Sequence, residues 1–517
     1  MKLVALRREE GVDTKETVLD ETEIEAGKAG DPADIRASRK MDSSLIRNVV
    51  WNAAGDWSSQ IFSWAAFLVV TRLLTPADFG IVAMAGTIGP FVQYFSGTGI
   101  PRAIVTLRDL TDEQLAQLNS VGLLLGIVSF GLAALLAKPV AMFYGTPRIT
   151  PIIIVCSVGL IFNGAQAVSN GLLLKEMRFR SLSLFTAVGA LINAALTLLF
   201  AWLGWGYWAL ILGGFPGVIL RTALVMKTRR QTYAMPRWSS VKPAIRFSMY
   251  VVFSMIALSV YQNLDNVTAG RMLGPTALGL YGMAWTLAYV PLDKVTSLVM
   301  MVIPTYFAAF QKDLGAVRRT LEKLTEGCAL LMFPACIGLG IISRDFVQVV
   351  LGPKWEGAAA PLQVLAIYAA FRSIVAFLPR VLTSLGHARF VMWNDMAAIV
   401  ILGLAFYAGS HWGTAGIAWA WVACYPFVAV PLYYKTFTVI EMKLEDYTRR
   451  LRPALEGTIV MILAVECLKY ALSTSRLGVR LSLEITVGAL VYSGTLWLRH
   501  RDRVLAFIQM AKSASRS

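Results

Sequence analysis

The sequence predicts an all-α polytopic membrane protein: about fourteen transmembrane helices, in two pseudo-symmetric six-helix lobes plus two C-terminal helices. Three observations predict it. The chain has 517 residues, 56% hydrophobic and only 15% charged, whereas ordinary soluble chains carry about a quarter charged residues. Apolar runs long enough to span a bilayer recur along nearly its whole length. One stretch, residues 70–88 (VTRLLTPADFGIVAMAGTI), returns as residues 269–287 (AGRMLGPTALGLYGMAWTL), with Arg72 matching Arg271, Pro76 matching Pro275 and Gly80 matching Gly279.

Each copy lies between two apolar runs. The Arg ends one membrane helix and can snorkel to the head groups. The Pro forbids that helix from continuing, and the Gly opens the next. The motif therefore reads as a tight helical hairpin at one membrane surface, used once per lobe. Such a duplication marks a transporter built from internal repeats, with substrate bound between them. Residues 206–216 (GYWALILGGFP) resemble residues 416–426 (GIAWAWVACYP), which aligns the sixth span with the twelfth. The copies share one orientation, so the lobes are related by an axis along the membrane normal.

In chain order, residues 1–42 form a polar tail without an apolar core segment. It is not a signal peptide, and it reads as disordered and cytoplasmic. The first lobe, 43–228, holds spans near 46–70, 79–101, 115–137, 150–173, 181–202 and 206–226. Its fourth span is polar, with Asn163, Gln166 and Asn170. A basic linker, 229–243, leads to the second lobe, 244–436, with spans near 244–268, 277–303, 325–342, 359–379, 390–409 and 413–434. Residues 437–517 add spans near 453–473 and 479–498 and a cytoplasmic tail. Residues 306–326 read as an amphipathic helix along the cytoplasmic surface, and 346–355 as a short apolar turn on the outer face, both as interfacial anchors.

Charge fixes the orientation. With the N-terminus inside, Lys and Arg in the inner loops outnumber those in the outer loops by roughly three to one, so both termini are cytoplasmic. The net charge of +16 belongs to this bias rather than to nucleic-acid binding. All five cysteines fall inside apolar runs, which argues against a disulfide framework. Three histidines without a Cys/His cluster give no metal site. There is no nucleophile–base set, Gly-rich phosphate loop or ATP-binding domain, so neither an enzyme nor a cofactor is expected.

The stretch NLDNVTAGRMLGPTALGLYGMAW, followed in register by VIPTYFAAFQKD and LTSLGHARF, with TRLLTPADFG in the first lobe, resembles the polysaccharide transporter family. These are the Wzx-type flippases of the multidrug/oligosaccharidyl-lipid/polysaccharide (MOP) superfamily. The resemblance covers residues 43–435. It implies a MATE-like fold with a V-shaped central cavity, and alternating-access export of polyprenyl-diphosphate-linked oligosaccharide across the bacterial inner membrane. The products served would be exopolysaccharide, capsule or lipopolysaccharide. Expected partners are the anionic lipid substrate, membrane lipids, and a polysaccharide polymerase and export proteins downstream. Two alternatives differ in testable ways. A cation-coupled drug antiporter of the same superfamily needs an acidic cavity. A membrane polymerase or glycosyltransferase needs a large outer loop, and no outer loop here is long enough.

Charges at membrane depth nominate the site. Arg47 and Arg221 lie near cytoplasmic helix ends and can snorkel. Arg372 is near the middle of the tenth span, and Lys294 is ~14 Å of helix from the inner end of the eighth. Asp56, Asp265 and Asp293 are the acidic counterparts. Intramembrane charges face a partner or a wet cavity. Lys294 and Arg372 therefore either pair permanently with Asp56 or Asp293, or line the cavity and attract the diphosphate. Pro90 and Pro291 interrupt the second and eighth spans at nearly matching places, a further pointer to the site. Asn263, Asp265 and Asn266 make the outer end of the seventh span polar, either as a sugar-facing wall or for helix–helix hydrogen bonding.

Overall fold

The computed structural model describes residues 62–89, 99–106, 110–229, 231–237, 262–292, 313–472 and 475–503, with residues 60, 93, 259, 260 and 505 besides. Asp56, Pro90, Asp293 and Lys294 lie outside the described residues, as does the N-terminal tail. Among the described residues the structure is helical, and nine helices are long and apolar enough to cross a membrane, or ten if one bent pair counts as a span.

That bent pair is the first copy of the motif. Helix α1 (Phe62–Leu73) meets α2 (Pro76–Gly86) at 118°. The break is written in the sequence. Thr75 caps α2, its hydroxyl accepting from the Asp78 N–H while the Asp78 carboxylate accepts from the Thr75 N–H at 2.9 Å. Pro76 follows at the first helical position, where it lacks nothing the helix needs. In the second copy, residues 262–292 are helical and form α9, with Gly274 at φ +84° immediately before Pro275. A left-handed turn there suits glycine. The first copy is thus broken by a Thr-Pro cap, whereas the second passes through Gly274-Pro275 within residues that are helical throughout.

The rest of the first half comprises α3 (Gly99–Thr106), α4 (Asp112–Tyr144), α5 (Ile149–Lys175), α6 (Phe179–Trp202) and the consecutive α7 (Tyr207–Leu212) and α8 (Phe215–Thr228). The second half continues with α10 (Leu314–Ile341), α11 (Ala359–Val375), α12 (Leu378–Ser384), α13 (Ala388–Ser410) and α14 (Gly413–Val439). Helices α15 (Leu444–Ala471) and α16 (Leu477–Arg499) trail behind. Large apolar side chains stay exposed on the outward faces, including Leu184, Leu191 and Leu199 on α6 and Val400 and Leu404 on α13. Exposure of that kind along spanning helices is the surface that lipid covers.

Glycine sets the close packing. On α4, Gly122 and Gly126 repeat one turn apart and meet Gly164 of α5: a Cβ on Gly164 would lie 2.3 Å from the Gly122 carbonyl oxygen. Such small-residue faces let membrane helices approach backbone to backbone. Gly164→Leu is expected to force α4 and α5 apart and cost more than the ~1–3 kcal/mol of ordinary overpacking, read as a lower yield of folded chain in detergent.

Two readings of the sequence change here. Of the stretch 306–326, residues 306–312 lie outside the described residues, and from Leu314 the chain is not a separate surface helix but runs on into the ninth span as α10, a single helix of 28 residues. Its charges are paired instead. Arg318 bridges Glu322 and Asp446, while Arg450 and Arg503 converge on Glu322 and Glu326, tying α10 to α15 and to the chain beyond α16. Arg221, read from sequence as free to snorkel, has partners on neighbouring helices. It donates to Gln166 Oε1 at 3.3 Å and to Thr186 Oγ1 at 3.4 Å, joining α8 to α5 and α6. That contact also satisfies part of the polar fourth span.

Candidate functional site

The duplicated motif closes on itself. Gly80 of α2 lies against Pro275 of α9, so near that a Cβ would fall 1.7 Å from the Pro275 carbonyl oxygen. Gly279 lies against Pro76 in the same way, at 1.8 Å from the Pro76 carbonyl oxygen. Each copy thus offers its glycine to the other's proline, the reciprocity of a two-fold contact. No side chain fits at either position, because the obstacle is backbone.

A second ring of contacts surrounds this seal. Segment 347–351 is a wide helical turn ending at Gly352, whose φ is +101°, and its last carbonyls have no helical donor. Arg72 supplies donors from the other half of the chain, reaching the carbonyls of Val350, at 3.0 Å, and of Val349. In return Lys354 Nζ donates to the Arg72 carbonyl at 2.7 Å, and Trp355 Nε1 to the Thr71 carbonyl at 2.8 Å. Trp355 is fully buried, edge-on to Phe79. The second copy does the equivalent in the first half: Arg271 lies 5.7 Å over the Phe143 ring, and Gly270 packs on Tyr144. Arg72 and Arg271 thus hold the two halves together, and 346–355 is a clasp rather than a simple interfacial anchor. Arg72→Ala is expected to weaken the clasp by roughly 1–2 kcal/mol, seen as faster thiol labelling of a cysteine placed at Thr286.

Beneath the seal lies a cavity of about 410 Å³ shared by α1 and α2 of one half and α9 of the other. Its walls are apolar and aromatic, from Phe67, Phe79 and Trp285, with polar groups from Asn263, Asn266 and Thr286. None of its described lining residues is ionisable. Below the cavity, Trp285 stacks on Tyr289 one turn further along α9, with centroids 4.5 Å apart. Tyr289 in turn lies under the Arg372 guanidinium, which also faces Tyr368 and Tyr425 at 6.0 and 5.8 Å. Arg372 donates to the Tyr368 hydroxyl at 2.9 Å. From Gly279 to Tyr289 is ~15 Å of helix, so Arg372 sits about half a hydrocarbon core below the seal.

A family model described as "Polysaccharide biosynthesis protein" matches residues 69–360, more than half of the chain. The chain belongs to this family. It is similar to the teichuronic acid biosynthesis protein TuaB of Bacillus subtilis (strain 168), 24% identical over 87% of this chain and 94% of that one. It is similar also to the succinoglycan biosynthesis transport protein ExoT of Rhizobium meliloti (strain 1021), 23% identical over 91% of this chain and 96% of that one. In fold it matches the lipid II flippase MurJ in an inward closed conformation, with a TM-score of 0.70 at 13% identity, covering 88% of this chain and all of MurJ. The fold implied by the sequence is one shared with MurJ.

In this polysaccharide biosynthesis family member, the residues singled out from sequence fall into separate groups. Asn263 and Gly279 line the cavity, and Pro76, Gly80 and Pro275 build its roof. Asp265 does not share the Asn263 wall. It is wholly buried behind it, accepting from the Tyr281 hydroxyl at 2.8 Å and from Trp421 Nε1 at 3.3 Å. Arg372 lies deeper, in its cage of tyrosines. Pro291 sits in helical backbone that continues to residue 292. The sequence reading took 346–355 for an interfacial anchor and did not single out the aromatic cage. The cage left a signal, since Trp285 and Tyr289, like Tyr368 and Arg372, are spaced i,i+4 on one helix face.

Proposed function

We propose that the chain carries polyprenyl-diphosphate-linked oligosaccharide repeat units from the cytoplasmic to the outer leaflet of a bacterial inner membrane, by alternating access. The lobes, residues 43–228 and 244–436, rock against each other at the duplicated motif, with both termini in the cytoplasm. The product then passes to a polysaccharide polymerase and export proteins. The observation that carries this reading is the reciprocal glycine–proline seal above a cavity shared by both halves. A contact between two backbones, locked by a few hydrogen bonds, can open as a unit without unfolding either half. The polysaccharide roles in the names of TuaB and ExoT support the substrate class.

The chemistry follows from charge. A polyprenyl diphosphate carries about two negative charges, and moving them unpartnered to mid-membrane costs many kcal/mol. A fixed cation at that depth lowers the cost. Arg372 and Lys294 take this role, and among the described residues Asp395 is a carboxylate whose charge Arg372 meets. The cations must not clamp the diphosphate, because it has to leave. A guanidinium shared with three tyrosine rings meets that need better than an open fork. The polyprenyl tail stays in lipid. A drug antiporter would need an acidic cavity, and the described lining residues supply no carboxylate.

Reconstitution tests this. Lipid-linked oligosaccharides extracted from the producing strain are placed in vesicles with the purified protein, and those reaching the far leaflet are counted by cleavage with an external glycosidase. Transfer well above protein-free vesicles is expected. Transfer at the protein-free rate, by protein that is folded and inserted, would refute the reading.

A further inference from the structure

We propose that the cavity beneath the seal is a neutral sugar-binding subsite, in which the Trp285 indole is a stacking platform and the Asn263 and Asn266 carboxamides bind hydroxyl groups; this rests on the flippase reading above. The volume of about 410 Å³ lies within the range of small-molecule sites, ~300–1,000 Å³. Its lining selects among the parts of the cargo. A diphosphate seeks charged donors, and none of the described lining residues is ionisable. A polyprenyl chain would leave buried carboxamides unsatisfied. A sugar ring has an apolar C–H face for an indole and a rim of hydroxyls for amides, which this lining matches.

The polar groups are available to a ligand. The Asn266 side chain makes no hydrogen bond among the described residues, although its backbone N–H is engaged by Asp265. The Asn263 amide donates to the Ser259 carbonyl at 2.9 Å, which leaves its oxygen as an acceptor. Thr286 Oγ1 donates to the Gly282 carbonyl and keeps its lone pairs. The platform is fixed rather than mobile. Trp285 is stacked on Tyr289 at an interplanar angle of 16° and abuts Trp421 at 5.4 Å. An indole held in this way loses little freedom on binding.

Position completes the inference. The subsite lies between the seal and Arg372, so a lipid whose diphosphate is level with Arg372 points its sugars at the roof. Cargo recognition is thus divided by depth: charge is read at Arg372, and the sugars nearest the diphosphate are read under Gly80 and Gly279. Specificity for one repeat unit resides in the neutral subsite, not in the cation.

Binding to protein in lipid nanodiscs tests the division, with two probes: undecaprenyl diphosphate, and the lipid-linked oligosaccharide pool extracted from the producing strain. The wild-type protein is expected to bind the glycosylated pool more tightly. Trp285→Ala and Asn266→Ala should each weaken that binding by about tenfold while changing binding of the bare lipid by less than about twofold. Trp285→Phe, which keeps an aromatic face, should recover most of the loss. Equal binding of both probes by the wild type overturns the subsite and leaves the flippase reading standing. Equal weakening for both probes in the variants assigns Trp285 and Asn266 a structural role and also overturns it. Binding of neither probe by the wild type overturns the flippase reading itself.

Discussion

Gly80→Val and Gly279→Val should each abolish polysaccharide export while leaving the chain inserted in the membrane. The added side chain meets a carbonyl oxygen of the opposing motif, at 1.7 Å for Gly80 and 1.8 Å for Gly279 measured from the Cβ alone. A flexible neighbour could swing aside, but a peptide carbonyl flanked by proline cannot. The seal must open by more than an ångström, and overpacking of this kind costs ~1–3 kcal/mol even where side chains can adjust. A two-state carrier is sensitive to that. A bias of ~3 kcal/mol shifts the balance between closed and open forms by about two orders of magnitude. Each glycine faces the other half rather than its own, so folding of each half is spared. Surface polysaccharide in a strain carrying only the variant, at matched protein level, is the measurement. Normal export by Gly80→Val would mean that the seal is not part of the transport cycle.

Arg372→Ala should reduce export at least tenfold, with Arg372→Lys in between. Arg372 is a half-buried cation about half a hydrocarbon core below the seal, hydrogen-bonded to Tyr368 and facing the rings of Tyr289 and Tyr425. Insertion of a cation at such depth costs ~2.5–3.5 kcal/mol at the least. Arg372 also meets the charge of Asp395 on α13, and removing one partner of such a pair destabilises a fold, so the variants are compared at matched levels of folded, inserted protein. Lysine keeps the charge but loses the planar contact with the tyrosines. Equal export by wild type, lysine and alanine variants would return Arg372 to a purely structural place among the aromatic side chains.

How much of this was legible in the sequence depends on the range of the interaction. The motif was legible because it is local: a Pro that follows Thr75 or Gly274 marks a turn from the sequence alone, and apolar runs of spanning length need no partner to be recognised. The meaning of Gly80 and Gly279 was half legible. Their repetition showed that they matter, but a glycine opening a helix looks the same whether it faces lipid or another backbone. The clasp was not legible, because Arg72 and Val350 are 278 residues apart and a lone Arg at a helix end fits snorkelling equally well. Arg221 misled for the same reason: its partners, Gln166 and Thr186, come from other helices. Asp265 was read with Asn263 because they are adjacent on the polar end of the seventh span. On a helix, residues two apart point in different directions, and only Asn263 reaches the cavity.

The central claim, that the cavity opens to one side of the membrane at a time, is tested most directly by a single reporter cysteine. Thr286 lines the cavity and tolerates the small change to cysteine, in a background with Cys156, Cys328, Cys336, Cys424 and Cys467 replaced. A membrane-impermeant thiol reagent is applied from the motif side of intact cells, with and without the Gly279→Val change. With the seal intact, labelling should be slow. With Gly279→Val it should be fast from that side, and slow from the opposite side in inverted vesicles. Rapid labelling from both sides of the same protein with the seal intact would describe an open channel and contradict alternating access.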